Sequence, residues 1–430
     1  MNRTTRLIVL VIACGLWTAP LVAQGVAQTA AQSQARRVSL DEALSLFAEN
    51  NLDLRVARLE ALEFRGLARQ AGAFPNPTLN VTHEPLSGGT ADYSESYVTL
   101  SQMVELPGLR NARADGAQWA VRATEARLAA DSSRLAFEVK RTYVDAVLAD
   151  DLLGVARRVT DVFREAARTA ATREAQGDIS RYDLQRIFVE RSRYENLLAD
   201  AEIRAASARR NLALLILPES DVAEVTVAGL DGETPPTSVG DVIAEQVASG
   251  RQEVDAARAA AEAAAADVRL KRSERVPSLT ATGGFKRQSD GMNGAFLGVA
   301  IPLPLFNRNA GALAGAEARA ESGEARLALT KRQVENDIRR AVESYESARR
   351  RSDLLTGDEL DASSDLLEMA QVAYDLGEMG LLELLDAADA LKGARNAQAQ
   401  LRADLWIAYY NLERATGGFA LGSETDLETR

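Results

Sequence analysis

The chain is written twice. A shift of 200 positions brings Arg58 onto Arg258, Gly177 onto Gly377, Leu184 onto Leu384, and Asn211-Leu212 onto Asn411-Leu412. Slightly different shifts bring Phe74-Pro75 onto Val276-Pro277, and the Leu106-Pro107 segment ending at Arg110 onto the Leu303-Pro304 segment ending at Arg308. Ordered matches over most of both halves mean one supersecondary unit used twice. Each half reads as helix, strand pair, long helix, glycine turn, long helix. The repeats span 38–217 and 241–418. A Pro- and Gly-containing linker, 229–240, separates them, and a tail, 419–430, follows.

The helices carry a coiled-coil period. Leu184, Ile187, Arg191, Tyr194, Leu198, Ala201, Ala205, Ala208, Leu212 and Leu215 follow steps of three and four. Leu384, Ala387, Leu391, Ala394, Gln398, Leu401, Leu405, Ala408, Leu412 and Ala415 follow the same steps. A 3.5-residue period keeps one seam against a partner helix. The helix before each glycine turn is expected over about 110–172 and about 310–374, roughly 95 Å at 1.5 Å per residue. Globular domains rarely hold helices of that length.

Between these helices lie short alternating segments. Thr78–Thr82 alternates, and Tyr97–Leu106 places Val98, Leu100, Val104 and Leu106 on one face with Gln102. In the second half Leu279, Ala281 and Phe285 share a face, as do Ala295, Leu297, Val299, Ile301 and Leu303. The connectors, near Ser87–Ser94 and Ser289–Asn293, are Gly-, Ser- and Asp-rich. Prolines 75, 77, 107, 277, 302 and 304 mark the junctions of strand and helix, where a missing N–H is tolerated. Strands of this length and alternation suit a transmembrane barrel. Four of them cannot close one with a lumen. Either several chains share a barrel, or the strands form a small soluble sheet beside a periplasmic coiled-coil scaffold.

Residues 1–27 read as a secretory signal peptide, with Arg3 and Arg6 before an apolar run and small residues after it. Val11-Ile12-Ala13-Cys14 loosely resembles a lipobox, which makes lipidation at Cys14 an alternative to ordinary cleavage. A net charge of −12 argues against nucleic acid as a partner. One cysteine excludes a disulfide framework, and one histidine excludes a multi-His metal site. No nucleophile–base set or cofactor loop is present, so neither catalysis nor a cofactor is expected. His83 reads as a strand or loop residue, and Trp119, Trp406 and Tyr409-Tyr410 as packing groups.

Several segments together resemble the TolC-type outer membrane efflux protein family over nearly the whole mature length. They are Leu40-Asp41-Glu42-Ala43-Leu44, Phe74-Pro75-Asn76-Pro77, and Ser101-Gln102 through Leu106-Pro107-Gly108-Leu109-Arg110. Ile301-Pro302-Leu303-Pro304-Leu305-Phe306-Asn307-Arg308-Asn309 and the two glycine turns complete the set. The Pro-Leu-Pro-Leu-Phe-Asn-Arg run and the Asn-Pro pair look most like the CzcC heavy-metal efflux subgroup.

The resemblance implies a mainly α fold with a small β part. It implies a homotrimer whose three chains give four strands each to a twelve-stranded barrel in outer membrane lipid, above a coiled-coil helical tube in the periplasm. It also implies a passive duct for divalent heavy-metal cations, working with a periplasmic adaptor and an inner-membrane pump of the resistance-nodulation-division type. The alternatives are a duct for drugs, solvents or type I protein secretion.

Family positions map onto particular residues. Glu383 and Asp386, three apart on one helix face, match an acidic pair at the periplasmic entrance, where a trimer would form carboxylate rings. Tyr374 and Asp183 fall at two places of the family's gate network. The third, an arginine in TolC itself, is Met379 here, and Arg181 lies near the other turn. The tips, with Gly177, Asp178, Arg181, Gly377, Met379 and Leu381, match the adaptor-docking surface.

Overall fold

The computed structural model describes residues 36–86, 93–105, 108–217, 225–230, 232, 234–235, 250–354 and 357–417. Cys14, the leader at 1–27, most of the 229–240 linker and the tail at 419–430 lie outside the described residues. The first repeat contains helices α1 (Leu40–Asn50) and α2 (Leu52–Ala71), strands β2 (Thr78–Leu86) and β3 (Tyr93–Val104), then α3 (Leu109–Gln176) and α4 (Arg181–Ile216). The second contains α5 (Gln252–Ser273), β5 (Leu279–Gln288), β6 (Asn293–Ala300), α6 (Ala310–Leu354), α7 (Gly357–Leu376) and α8 (Leu381–Thr416). Two short strands that the alternation did not suggest, β1 (Arg36–Val38) and β4 (Val225–Val227), pair in parallel.

Helix α3 has 68 residues and is therefore about 100 Å long. Its counterpart was expected as one helix over about 310–374. It is described as two, α6 and α7, with residues 355 and 356 between them outside the described set. The residue that follows, Gly357, is a poor helix former.

Every residue of the two heptad seams is buried or half-buried. Many are alanines, so the helices approach closely. Near the middle of α3 the fully buried Tyr143 fixes the short parallel sheet. Its hydroxyl lies 3.2 Å from the Val38 carbonyl and 3.0 Å from the Gly229 carbonyl, and accepts from the Ala228 N–H. Val38, Ala43, Phe47, Leu135, Val139 and Leu212 close the core around it. Trp406 packs with Tyr409 and Tyr410 in an adjoining cluster, and the Arg122 guanidinium covers Trp119.

The four longer strands form one antiparallel sheet in the order β2-β3-β5-β6. Its registers put Leu79 opposite Leu100, Val81 opposite Val98, Val98 opposite Phe285, and Gly283 between Leu100 and Leu297. Side chains alternate across a sheet. Leu79, Val81, Val98, Leu100, Phe285, Leu297 and Val299 therefore share one face, and all are exposed, Leu297 to 86%. The opposite face carries Thr78, Asn80, Thr82, Thr99, Ser101 and Thr282.

Strand β3 begins at Tyr93 rather than Tyr97 because its polar start is held across the β3–β5 seam. The Glu95 carboxylate pairs with Lys286 at 2.8 Å and accepts from Gln288 at 2.8 Å, Tyr93 at 3.0 Å and Tyr97. Pro85 sits in β2, an edge strand, where it breaks no inner ladder. His83, also in β2, meets Ser96 Oγ at 3.0 Å.

Candidate functional site

The two glycine turns lie at the ends of α3 and α7. Gly177 takes φ +86° and Gly377 φ +80°, the left-handed region that side chains disfavour. The Asp178 N–H then reaches back to the Arg173 carbonyl at 2.9 Å, and the Glu378 N–H to the Ala373 carbonyl at 2.8 Å. These closures end each long helix and start the next. Beneath both turns is one apolar core, with Val159, Phe163, Ala170, Ile187, Tyr194, Leu367, Tyr374, Leu384 and Leu391. Phe163 and Tyr194 stack with centroids 4.3 Å apart. The two hairpins therefore meet in a shared core at this end.

The repeat explains why two equivalent acids behave differently. Asp183 and Glu383 both sit in the first turn of their helices, where a carboxylate favours the helix dipole. In the first repeat the N-cap is Ser180. Its Oγ donates to the Asp183 carboxylate at 2.7 Å and accepts from the Asp183 N–H at 3.2 Å. In the second repeat the N-cap is Gly380, which has no side chain to offer. Glu383 is exposed and, among the described residues, forms no hydrogen bond or ion pair; the same holds for Asp386. Exchange of serine for glycine thus leaves Glu383 without the side-chain partner that Asp183 has, although both acids are exposed.

The gate candidates are placed near one another without joining. Tyr374 is buried in the tip core, and burial pushes its phenol above the ordinary value, against the pull of nearby Arg173. Among the described residues no hydrogen bond links it to Asp183, whose carboxylate accepts from Ser180. Asp178 and Arg181 are exposed. Met379 and Leu382 are exposed, whereas Leu381, matched in sequence to the same docking surface as Met379, packs partly into the core.

Two groups escaped the sequence reading. Arg173, in the last turn of α3, donates from Nη1 to the Tyr374 carbonyl at 3.2 Å. Thr169, one turn earlier, donates to Asp375 at 3.0 Å. Farther from the turns, Tyr194 donates to Asp389 at 3.1 Å, and Lys392 pairs with the same carboxylate at 2.5 Å. Burial tends to raise the Asp389 carboxyl, but Lys392, the Tyr194 hydroxyl and Arg193 outweigh it and hold it below the ordinary range. Among the described residues no group of three or more His, Cys, Asp or Glu could hold a metal ion, and no helix is long and apolar enough to cross a membrane.

Comparison with known proteins places this architecture. The cobalt-zinc-cadmium resistance protein CzcC of Cupriavidus metallidurans is 27% identical over 386 residues, covering 88% of this chain and 90% of that protein. The outer-membrane channel OprN superposes with a TM-score of 0.74 at 20% identity, covering 88% of this chain and 90% of that one. CusC, solved in a study of its folding and transmembrane channel formation, gives 0.72 at 20% identity, covering 89% and 93%. Both structural likenesses concern the fold. The sequence profile described as outer membrane efflux protein matches residues 43–216 and 243–418. The chain belongs to the outer membrane efflux protein family, passive channels of the outer membrane whose helical part lies in the periplasm.

Proposed function

We propose that the chain is the outer membrane duct of a tripartite export system for divalent heavy-metal cations. In this reading three copies share a twelve-stranded barrel, and an adaptor and an inner-membrane pump of the resistance-nodulation-division type work beneath them. The observation that supports the trimer is the sheet. Its apolar face is bare and, among the described residues, β2 and β6 are both unpaired edges. Long bare edges invite further pairing. Lipid against the apolar face, with β6 of one copy beside β2 of the next, satisfies both. The span from Val98 to Val104 is about 20 Å along the strand, or about 15 Å of depth at the usual tilt, and fits within the apolar band of such barrels. The polar face then lines the pore.

The cation reading rests on the likeness to the cobalt-zinc-cadmium resistance protein and on exposed Glu383 and Asp386 beside the second turn. Three copies would ring the entrance with six carboxylates, attracting cations without the tight site that would slow their release. The exposed turns, with Asp178, Arg181 and Met379, are the proposed adaptor surface.

Growth of a deletion strain on graded zinc, cobalt, cadmium, nickel, copper and silver tests this, with drugs and detergents in parallel. Sensitivity confined to a group of metals is expected. Sensitivity to drugs or detergents alone would overturn the metal reading and favour a general exporter.

A further inference from the structure

The lipid-facing side of the sheet is not apolar throughout. Its registers line up rows across all four strands. The row Val81, Val98, Phe285 and Ala295 is wholly apolar. The next row on the same face, toward the β2–β3 and β5–β6 connectors, is His83, Ser96, Arg287 and Asn293. Two residues along a strand rise about 7 Å, or about 5 Å of depth at the usual tilt. The face therefore changes from apolar to polar within one row. In the other direction Ile301, Leu303, Leu305 and Phe306 prolong the exposed apolar surface past β6 toward the helices. The polar row marks the connector side alone, which is the outer side when the helices are periplasmic.

Arg287 is the one arginine, lysine or carboxylate on this face among the described strand residues. It is exposed and, among the described residues, forms no hydrogen bond or ion pair. Lys286, one residue earlier and therefore on the pore face, is treated oppositely. It pairs with Glu95 at 2.8 Å. Glu84 and Glu95 belong to the pore face too, so no acid stands beside Arg287 on its own side. His83 is exposed, with Nδ1 3.0 Å from Ser96 Oγ. The sheet thus satisfies its inner cation and leaves its outer one for a group outside the chain. At the margin of an apolar band a lone arginine costs little, whereas at mid-depth it costs much. Its long stem lies along apolar surface and lifts the guanidinium to the headgroups. The planar guanidinium matches a phosphate with two parallel bonds.

We propose that the row His83, Ser96, Arg287 and Asn293 docks a phosphorylated lipid headgroup of the outer leaflet, with Arg287 holding the phosphate and His83 and Asn293 flanking it. The site rests on the duct reading above and occurs three times in a barrel of three chains. It ties the outer rim of the barrel to the membrane.

The test uses the full-chain oligomer extracted from outer membranes in mild detergent, stripped of lipid, and titrated with bisphosphorylated lipid A or with its dephosphorylated form. Bound lipid is read by native mass spectrometry. Wild type is expected to bind the phosphorylated form about tenfold more tightly, the factor that one charge-assisted hydrogen bond of ordinary strength carries. R287Q should lose that preference. R287K should lie between, since an ammonium keeps the charge without the planar fork. K286Q should keep the preference, because Lys286 faces the pore and glutamine still donates to Glu95. The Tm of each variant should stay within about 3 °C of wild type. Equal binding of the two lipids by wild type would overturn the site, whatever the variants do. Equal loss of preference in K286Q and R287Q would also overturn it, since net charge alone would then explain the binding. Displacement of lipid A by inorganic phosphate would overturn the lipid assignment. Each of these results leaves the duct standing. Absence of the wild-type oligomer from outer membranes would overturn the duct reading and the lipid site with it.

Discussion

Leu297→Arg separates the two faces of the sheet. Leu297 is 86% exposed in the protomer and stands mid-strand in β6, opposite Gly283. On a water-facing surface the substitution is nearly neutral. On the lipid face of a barrel an arginine at mid-depth costs about 2–4 kcal/mol per chain. In the proposed trimer that comes to about 6–12 kcal/mol per barrel, comparable with the whole stability of an ordinary domain. The control is Thr282→Arg, one position from Gly283 and therefore on the opposite face. It should assemble and change only the conductance. The assay is recovery of the heat-resistant oligomer from outer membranes, read on gels with and without boiling. L297R is expected to fall below detection while T282R persists. Normal recovery of L297R with loss of T282R would mean that the faces are reversed. Normal recovery of both would mean that the sheet does not face lipid.

Other expectations follow from the helical part. Lys140 and Glu413 form a largely buried pair at 2.9 Å, so Lys140→Met strands a carboxylate that is one quarter exposed and should cost about 2–3 kcal/mol. Lys140→Met with Glu413→Leu should recover most of that loss in thermal unfolding. Phe163→Ala removes a fully buried ring stacked on Tyr194 and should destabilise by about 3–5 kcal/mol, seen as faster hydrogen exchange at the tip. Asp389 titrates below its ordinary value when folded. Its contribution is therefore present above the unfolded value of 3.8 and fades as pH falls through the lower folded value. Asp389→Asn should lower Tm at pH 7, and the gap from wild type should close at lower pH; a gap that widens on acidification would refute the assignment.

The repeat and both heptad seams were legible in the sequence, because a 3.5-residue period held over ten positions is the mark of a supercoiled helix seam. The glycine turns were legible through the repeat, recurring 200 positions apart in equivalent places. Strand β3 is expected only from Tyr97, where apolar alternation begins; its start at Tyr93 is held by Lys286 and Gln288, nearly two hundred residues away. Arg173 was not legible at all. Its partner is a backbone carbonyl, which leaves no trace in residue type, and its neighbour is a glycine whose φ already accounts for it. Asp183 was read for its family place, whereas its nearest partner is the cap three residues before it. The Ser180-to-Gly380 difference was visible in sequence, and it is the signal that separates the two equivalent acids.

The sharing of one barrel by three chains is the claim on which the duct and the carboxylate rings both depend. Native mass spectrometry of the detergent-extracted outer membrane protein tests it most directly. Three copies, stable until the sheet is disrupted by L297R, are the expected result. A monomer or dimer from the same membranes would contradict the account, because four strands, or eight with their edges bare, do not make the twelve-stranded pore proposed here.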